Sequence, residues 1–513
     1  MGGHLARGRW RPGGREARRL RPPEAPSYRR RPMDAAALQR RIAKLQSILE
    51  VAKALAAERQ LDALLDQIMG AAARVAEADR CSLFLLDRER GELWSKVAQG
   101  TGQIRFPMAN GIAGAVASTG RTVNISDAYA DPRFHRAVDA ATGYRTRSIL
   151  CVPMRNAQGE VVGVLEALNR RQGDFTDEDE ELLTALGGQA AVAVENALLH
   201  EEIERLFEGF VRASVVAIEA RDPTTAGHSE RVSILTVGLA RAVEAAPPEP
   251  WRGVRFQPED LRQLRYAALL HDFGKVGVRE HVLVKANKLH PGQLELVAAR
   301  FDLIRATLEA ERLRARLEGG PAAEIEARRA EVEAFWDLVI ACNRPTVLPE
   351  GSFARLGEVA RRTFVDPSGT ERPYLLPEEV AWLSISKGSL SGEERREIES
   401  HVSHTFNFLS QIPWTRVLRR VPDIAHGHHE KLDGLGYPRG VPAPAIPVET
   451  RMMTIADIFD ALTASDRPYK RAVPAERALE ILAAESRAGA LDSGLLGVFV
   501  EAGVWRGAPP RTP

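Results

Sequence analysis

Apolar positions divide the chain into two stretches of different character. Between 61 and about 199, short apolar runs rich in strand-forming residues alternate with turns, and helical periodicity flanks them on both sides. From about 200 onward the periodicity is almost entirely helical. The first stretch predicts an α/β sensor-like module, and the chain as a whole is expected to be a multidomain α+β protein in which a long helix leads into the second stretch. The strand-like runs are CSLFLLD, SILCVPM and VVGVLEAL.

The amphipathic runs that flank the first module predict its helices. LDALLDQIMGAAARVA precedes the strands, and a long run from Asp177 to Phe207 follows them. Residues 33–60 form a further amphipathic stretch, predicted to be a helix that pairs with another subunit, so we expect a homodimer. Residues 1–32 are crowded with Arg, Gly and Pro, which predicts a disordered basic arm. Met33 is an alternative start that would exclude this arm.

A long charged insertion, from about 301 to 392, interrupts the helical half. Two stretches with helical spacing flank Gly319, Gly320 and Pro321, which predicts a helical hairpin that turns at these residues. The sequence leaves open whether the insertion covers a functional site, mediates dimer contacts or decorates the surface. Residues 476–513 are predicted to form a helical tail.

Charge and cysteine content bear on the class of protein. The 513 residues include 70 Lys and Arg against 69 Asp and Glu, which gives no case for a nucleic-acid partner outside the basic arm. We find no apolar run that predicts a membrane span. Cys81, Cys151 and Cys342 form neither a disulfide framework nor a zinc-binding spacing. A reducing, cytoplasmic location is therefore expected.

Two short stretches far apart in the helical half carry paired metal-binding side chains. HDFGK occupies 271–275, and HHEKLDGLGYP occupies 428–438. An adjacent His-Asp pair gives one metal a neutral nitrogen while its carboxylate can bridge to a second metal, and an adjacent His-His pair can complete the second site. Either dipeptide alone is common by chance. Their combination with further motifs indicates a dinuclear phosphodiesterase site.

The runs LLHDFGKVGV, HHEKLDGLGYPRG and IADIFDALTASDRPYK together resemble the HD-GYP family of cyclic di-GMP phosphodiesterases. The resemblance extends from Glu219 to about Val473, inside a domain expected to span 200–475. It implies an all-α HD-type domain that binds two divalent metals, iron or manganese, and hydrolyses cyclic di-GMP to pGpG, with GMP as an alternative end product. The metal ligands that the resemblance implies are His228, His271, Asp272, His401, His428, His429 and Asp457.

The resemblance also implies roles in catalysis and substrate binding. Asp272 is expected to bridge the metals, and Lys275, one turn after His271, is expected to contact a phosphate oxygen and offset charge in the transition state. The basic residues among the substrate contacts follow a spacing one residue longer than the family's commonest. The implied substrate-binding residues are Gly436, Tyr437, Pro438, Arg467 and Lys470.

Helical geometry separates His401 from a neighbouring histidine. The segment around it predicts a buried stripe that includes Val402, Thr405 and Leu409. His401 lies beside this stripe, whereas His404 lies further round toward solvent, so we favour His401 as the ligand.

Two further metal ligands, Asp457 and His428, have neighbouring residues that are alternative candidates. Asp460 follows Asp457 by nearly one helical turn; the IAD context favours Asp457 as the ligand and leaves Asp460 a supporting contact. His426, two residues before His428, points to another helix face and is not assigned. Thr224 stands where some family members carry a glutamate associated with a third metal, so two metals are expected.

Residues 61–199 resemble a GAF domain through GIAGAVASTGRTVNISDAYADPRF, GYRTRSILCVPM and the long helix that follows. This module is expected to regulate the helical domain through the helix around 190–219. A pattern similar to the NKFDE motif of cyclic-nucleotide-binding GAF domains is present, with arginine replacing lysine. The acids after Thr176 also fit an ordinary helix start, so a cyclic nucleotide, another small ligand and ligand-free dimer packing all stay open. The residues of the pattern are Asn169, Arg170, Phe175, Asp179 and Glu180.

Two other functions are compatible with the helical domain. It could hydrolyse another nucleotide or cyclic dinucleotide, or it could be a catalytically weak cyclic-dinucleotide receptor that acts through protein contacts. The complete ligand set argues against the receptor.

Overall fold

A computed structural model describes residues 35–58, 60–95, 104–222, 226–345, 351–464 and 472–507. The chain divides into two compact units, the first ending at Arg205 and the second beginning at Leu206. The basic arm 1–32 and Met33 lie outside the described residues. An α/β unit followed by a helical unit is the predicted fold class, which the structure confirms.

The first unit is built on a six-stranded antiparallel sheet with strand order β3-β2-β1-β6-β5-β4. Each predicted apolar run lies in one of the three central strands, β1, β5 and β6. Both faces of a central strand are buried by packing, so its residues form a nearly continuous apolar run. The strands are β1 (Ala78–Asp87), β2 (Glu92–Ser95), β3 (Ile104–Pro107), β4 (Val123–Ile125), β5 (Ile149–Arg155) and β6 (Val161–Arg170).

Side chains of the central strands alternate between two separate hydrophobic cores, one on each face of the sheet. On one face, Leu83 and Leu165 join a cluster with residues of α2 and α5. On the other face, Phe84 and Val164 pack with residues of α3. The helices of this unit are α1 (Ala35–Ala57), α2 (Leu61–Val75), α3 (Gly111–Thr119), α4 (Arg136–Thr142) and the start of α5 (Asp177–Arg221). The three cysteines of the chain are buried and free.

The 45-residue helix α5 extends well past the predicted end of the first module. Four acidic residues occupy its first turn, where they stabilise the positive end of the helix dipole. Within the described residues, α5 alone is long and apolar enough to cross a membrane by length and composition, and 44% of its most apolar window is buried inside the protein. The expectation that no segment spans a membrane stays a prediction.

The second unit is helical, and its main core is assembled from the two ends of its sequence. The buried residues of this core include none between Leu270 and Leu409 in the described chain. Residues of α17 and α18 such as Leu482 and Phe499 contribute fully buried side chains, so the segment expected to be a tail is part of the core. The helices that build this core are α6 (His228–Ala245), α7 (Pro258–Leu270), α14 (His401–Leu409), α15 (Val421–His426), α16 (Val448–Thr463), α17 (Ala475–Arg487) and α18 (Ser493–Glu501).

The segment between α7 and α14 has a hydrophobic core of its own. Phe301, Val339 and Leu383 are among its fully buried members. The turn between its two longest helices falls at Gly319, whose φ of 73° is in the left-handed region that ends many helices. Its elements, with the short helices beside it, are α8 (Glu280–Leu283), α9 (Pro291–Glu318), α10 (Ala322–Asn343), α11 (Ser352–Arg361), β7 (Thr363–Val365), β8 (Glu371–Pro373), α12 (Pro377–Leu383) and α13 (Gly392–Glu399).

Candidate metal centre

The seven side chains expected to bind metals come together in the second unit, although they are spread over 228–457. Their nitrogen and oxygen atoms form three overlapping groups, in each of which all ligand atoms lie within 4.8 Å of one another. Six of the seven residues are buried, and His429 is partly exposed. The groups are His401, His428 and His429; His228, His271 and Asp272; and His271, His428 and Asp457.

Three of the histidines are oriented by the helical turn that carries them. The Nδ1 atom of His271 lies 2.7 Å from the carbonyl oxygen of Ala268, three residues earlier. His401 and His428 make the same i to i−3 contact, each at 2.6 Å. A carbonyl can only accept, so each Nδ1 donates to it, and each Nε2 is the ring atom left to bind a metal.

Free Nε2 atoms at the centre are what a metal requires. The Nε2 atoms of His401 and His428 are buried and have no hydrogen-bond partner. Burial, with the neighbouring His429 and His271, holds the pKa of His428 well below its usual range. Burial also lowers the pKa of His429 to about 4. The imidazoles of His428 and His429 are therefore neutral, and such nitrogens beside carboxylates form a donor set that fits divalent transition metals.

His228 is oriented by a carboxylate instead of a backbone carbonyl. Its Nδ1 lies 2.8 Å from Asp460 Oδ2, and its Nε2 lies 3.2 Å from Asp457 Oδ1. Asp460 in turn accepts two hydrogen bonds from Arg231, at 2.7 and 2.9 Å. Asp460 thus orients a metal-facing imidazole from behind, as carboxylates commonly do at metal sites. The sequence predicts a supporting contact for Asp460, whereas Arg231 belongs to no motif that marks it.

Asp272 lies between two of the ligand groups. Its Oδ1 is 3.2 Å from His401 Nε2, and its Oδ2 is 3.4 Å from His271 Nε2 and 3.8 Å from His228 Nε2. Burial alone would raise the pKa of this carboxyl, but Lys275 and the histidines hold it well below its usual range. An ionised carboxylate with one oxygen toward each group has the arrangement of a bridging ligand.

Lys275 forms ion pairs with two carboxylates. Its Nζ lies 2.8 Å from Asp272 Oδ2 and 3.2 Å from Asp222 Oδ2, and its side chain is 14% exposed. The 3-10 helix Phe273–Gly277 brings Lys275 back over Asp272, because residues three apart are eclipsed in that geometry. Lys275 is therefore an ion-pair partner of the central carboxylate, and its expected contact with a phosphate oxygen stays a prediction.

Gly274 allows the HDFGK segment to approach α14 closely. A Cβ atom at this position would lie 1.9 Å from the carbonyl oxygen of His401 and 2.5 Å from the nitrogen of Thr405. The hydroxyl of Thr405 donates to the carbonyl of His271 and accepts from the amide of Gly274. Close backbone contact and these two bonds fix His271 and Asp272 against His401.

The Gly-Tyr-Pro loop lies against the His428–His429 pair. The ring of Tyr437 is 4.7 Å from that of His429, centroid to centroid. Buried Glu430 fixes the loop by accepting from the amides of Arg439 and Val441 at 2.8 and 3.1 Å. Gly436 passes so close to Glu430 that a Cβ there would lie 2.5 Å from its Cα. The aromatic ring is thereby presented beside the ligand cluster.

The remaining predicted site residues of this unit have different positions. Arg467 and Lys470 lie outside the described residues, as does Thr224. His404 is exposed, three residues after buried His401. His426 stacks on Phe406 at 4.3 Å between centroids and is absent from the three ligand groups.

The NKFDE-like residues of the first unit do not line the described cavity between its sheet and α3, and their contact with a ligand stays a prediction. Arg170 pairs with buried Asp179 at 2.8 Å, and Asp179 also accepts from the amide and hydroxyl of Thr176. Asn169, with φ of 54°, accepts from the amide of Arg147 and donates to the carbonyl of Arg145. These contacts fix the end of β6 to the start of α5. Phe175 is buried in the core beneath them, and Glu180 lies in the first turn of α5.

Comparison with protein families supports two kinds of domain. A family model described as the GAF domain matches residues 60–194. Two models described as the HD domain match residues 225–330 and 374–495. The chain therefore has an N-terminal GAF α/β domain with an antiparallel sheet, followed by a helical HD domain.

Curated relatives match only part of the chain. A probable 3',5'-cyclic phosphodiesterase, pde-5, from Caenorhabditis elegans is 36% identical over 159 residues, which are 28% of this chain and 22% of that protein. The dual 3',5'-cyclic-AMP and -GMP phosphodiesterase 11A of Takifugu rubripes is 38% identical over 166 residues, 29% of this chain and 18% of that protein. The chain spans about a fifth of the length of these relatives.

Solved structures with similarity to the chain include GAF domains. The GAF domain of a phosphoenolpyruvate-protein phosphotransferase from Coxiella burnetii has a TM-score of 0.29 and 22% identity, covering 32% of this chain and 98% of that one. A free methionine-R-sulfoxide reductase from Neisseria meningitidis, in complex with its substrate, has a TM-score of 0.27 and 19% identity, covering 31% and 93%.

Proposed function

We propose that the HD domain is a metal-dependent phosphodiesterase of the HD-GYP type, which hydrolyses cyclic di-GMP to pGpG under the control of the GAF domain. The observation that carries this proposal is the position of Asp272 between two groups of clustered histidines whose rings are oriented by backbone carbonyls or by Asp460. Carboxylate and imidazole donors in this arrangement match the requirements of a two-metal hydrolytic site.

The seven clustered residues would hold two divalent metals, with iron or manganese favoured by the family resemblance. Bound there, such ions would supply Lewis-acid stabilisation of the phosphodiester and activation of water. The protein's own groups perform the positioning. Asp460 fixes His228, backbone carbonyls fix His271, His401 and His428, and Lys275 keeps Asp272 charged.

The position of Tyr437 is an argument for a substrate that carries nucleobases. Its ring is half-buried beside His429 at the edge of the ligand cluster, so a base could stack on it while a phosphate lies over the histidines. Arg467 and Lys470, which belong to the same proposal, would bind a phosphate of the dinucleotide. Cleavage of pGpG to GMP is a further step that the same site could catalyse.

Cyclic mononucleotides are the second candidate substrate, because both curated relatives are described as 3',5'-cyclic phosphodiesterases. The aligned stretches of 159 and 166 residues are shorter than the span from His228 to Asp457. They therefore do not include the complete ligand set. For this reason we favour a cyclic dinucleotide as the substrate, because the family resemblance that implies it rests on the motifs of the site itself.

A panel of substrates tests the proposal. The full chain, loaded with Mn²⁺ or Fe²⁺, is given cyclic di-GMP, cyclic di-AMP, a hybrid cyclic dinucleotide, cyclic AMP and cyclic GMP, and products are separated by chromatography. We expect cyclic di-GMP to be linearised fastest. The His271→Ala/Asp272→Ala variant is expected to lose turnover, whereas His404→Ala, an exposed histidine nearby, keeps it. Turnover of mononucleotides alone would reject the dinucleotide, and binding of cyclic di-GMP without hydrolysis would favour the receptor function.

We also propose that the protein is a homodimer. Val192, Leu199 and Leu206 on α5 follow one another at seven-residue intervals and are 42%, 50% and 69% exposed. Ile203 and Phe210, four residues after Leu199 and Leu206, are also exposed, at 61% and 43%. Together these side chains have the alternating spacing of a two-stranded coiled-coil seam. Light scattering should give twice the chain mass for the native protein and a lower mass for Leu199→Glu/Leu206→Glu; a monomeric native chain would contradict the proposal.

A further inference from the structure

The C-terminal part of α5 contacts the elements that carry the metal ligands of the second unit. This part begins at Leu206, and its residue Val211 lies fully buried in the main core of that unit. The N-terminal part of the same helix contributes residues such as Leu186 to a core of the first unit. One continuous helix therefore supplies buried side chains to both units.

Glu208 joins α5 to α7, the helix that leads into His271. The carboxylate of Glu208 accepts from Arg265 Nη1 at 2.8 Å and from the hydroxyl of Tyr266 at 2.6 Å. Phe207 packs against the ring of Tyr266, with centroids 5.0 Å apart. Because both donors precede His271 by no more than six positions, these contacts fix α5 to the helix that presents this ligand.

Asp222, the residue that follows α5, reaches the bridging carboxylate through Lys275. Buried Asp222 lies 3.2 Å from Lys275 Nζ, which in turn lies 2.8 Å from Asp272. The neighbouring Arg221 donates to the carbonyl of Val278 at 3.3 Å, where the 3-10 helix of the HDFGK segment ends. The end of α5 is therefore bonded to this segment at two points.

Glu219 fixes the start of α6, whose first helical residue is His228. Its Oε1 accepts from the amide of Gly227 at 2.7 Å. Gly227 is the N-cap of α6 and has a φ of 65°, in the left-handed region. In many helices a glutamate at the third helical position accepts from the N-cap amide, whereas here the acceptor comes from another helix. The bond therefore holds the backbone immediately before His228.

We propose that Glu219 is a positioning residue for the metal ligand His228, and that through Glu219 and Asp222 the metal affinity of the centre depends on the position of α5. The inference rests on the proposed metal centre. Asp460 orients the ring of His228, but the position of its backbone is set at Gly227. Metal–ligand distances tolerate deviations of only about 0.2 Å, so a small displacement of this backbone weakens metal binding.

Two substitutions of Glu219 in the full chain test the positioning role. Glu219→Ala removes the acceptor and should lower the affinity for Mn²⁺ about tenfold, the lower end of the range for groups that support metal ligands. Glu219→Gln keeps an oxygen that can accept from Gly227 and should restore native affinity. Chelator competition measures the affinity without substrate. Should Glu219→Ala not fold in a thermal unfolding scan, Glu219→Asp, which is too short for the same bond, takes its place.

Glu195→Ala is the matched control. Glu195 is also a half-buried glutamate of α5, and it accepts a hydrogen bond from Asn156 of the first unit at 3.1 Å. This variant loses a hydrogen bond of α5 but should bind Mn²⁺ as the native protein does. An equal loss of affinity in Glu195→Ala and Glu219→Ala would show a general effect of α5 stability and would contradict the positioning role.

Hydrogen exchange tests the dependence on α5. Coupling between two sites is reciprocal in free energy, so Mn²⁺ should slow amide exchange in residues 206–221 of the native protein, and do so less in Glu219→Ala. Exchange that does not respond to bound Mn²⁺, or native affinity in Glu219→Ala, would overturn this inference alone. A native chain that binds no Mn²⁺ would instead reject the proposed metal centre, and the inference with it.

Discussion

Replacing Asp460 by Asn would test whether His228 is oriented for metal binding. The change keeps the shape of the side chain but removes the charge that lies 2.8 Å from His228 Nδ1. Loss of such a partner typically weakens metal binding by about 10- to 100-fold. Asn still offers an acceptor to His228, so we expect the lower part of this range, about tenfold or about 1.4 kcal/mol. Turnover at limiting metal should fall to a similar extent.

A chelator-competition titration with Mn²⁺ measures the change in affinity, and thermal unfolding of the metal-free protein measures the change in stability. Asp492→Asn is the matched control, because Asp492 is also buried and pairs with an arginine, Arg451, at 3.0 Å. It makes no contact with an imidazole in the described structure. Both variants should lose stability, but only Asp460→Asn should lose metal affinity. Unchanged affinity in Asp460→Asn, or an equal loss in both, would refute this reasoning.

Three other predictions concern stability. Lys275→Met leaves buried acids without their cation, so the metal-free protein should lose about 3 to 5 kcal/mol, and metal should restore part of it; equal losses with and without Mn²⁺ would argue against the ion-pair role. Gly274→Ala places a Cβ against the carbonyl of His401 and should lower stability by about 1 to 3 kcal/mol or more, whereas Gly497→Ala, which meets nothing within 4 Å, should not; equal melting temperatures would contradict this. A pKa of about 7 for Glu166, raised from 4.5, gives stability that is present below pH 4.5 and lost as the pH rises through 7. Glu166→Gln should therefore gain up to about 3 kcal/mol over the native protein at pH 8 and little at pH 5, measured by denaturant unfolding; a pH-independent difference would contradict it.

Local patterns predicted much of the fold. The apolar runs CSLFLLD, SILCVPM and VVGVLEAL lie in β1, β5 and β6 because central strands bury both faces. The paired ligands His271–Asp272 and His428–His429 could be found because each motif is contiguous in sequence. Helical spacing also distinguished buried His401 from exposed His404.

Contacts between distant segments could not be predicted in the same way. Arg231 and Asp460 are 229 positions apart, and only the packing of α6 against α16 brings them together. The pairing of Lys275 with Asp222 crosses 53 positions, whereas the sequence predicts only a phosphate contact for Lys275, which stays a prediction. Sequence spacing carries no signal for either pair.

The GAF domain shows a different limitation. Its NKFDE-like residues were candidates for ligand contacts, yet Arg170 and Asp179 pair with each other away from the cavity. Residues of a motif shared by ligand-binding domains can stabilise the fold around a cavity without lining it. Glu166, one of the residues that line the cavity, stands out in the sequence as an acid within the apolar run VVGVLEAL, where a buried strand disfavours charge.

Anomalous X-ray scattering from crystals grown with Mn²⁺ would test the central claim most directly. We predict two peaks among the seven clustered side chains, with Asp272 in contact with both ions. Peaks located elsewhere, or a fully loaded crystal in which Asp272 contacts only Lys275, would contradict the proposed centre.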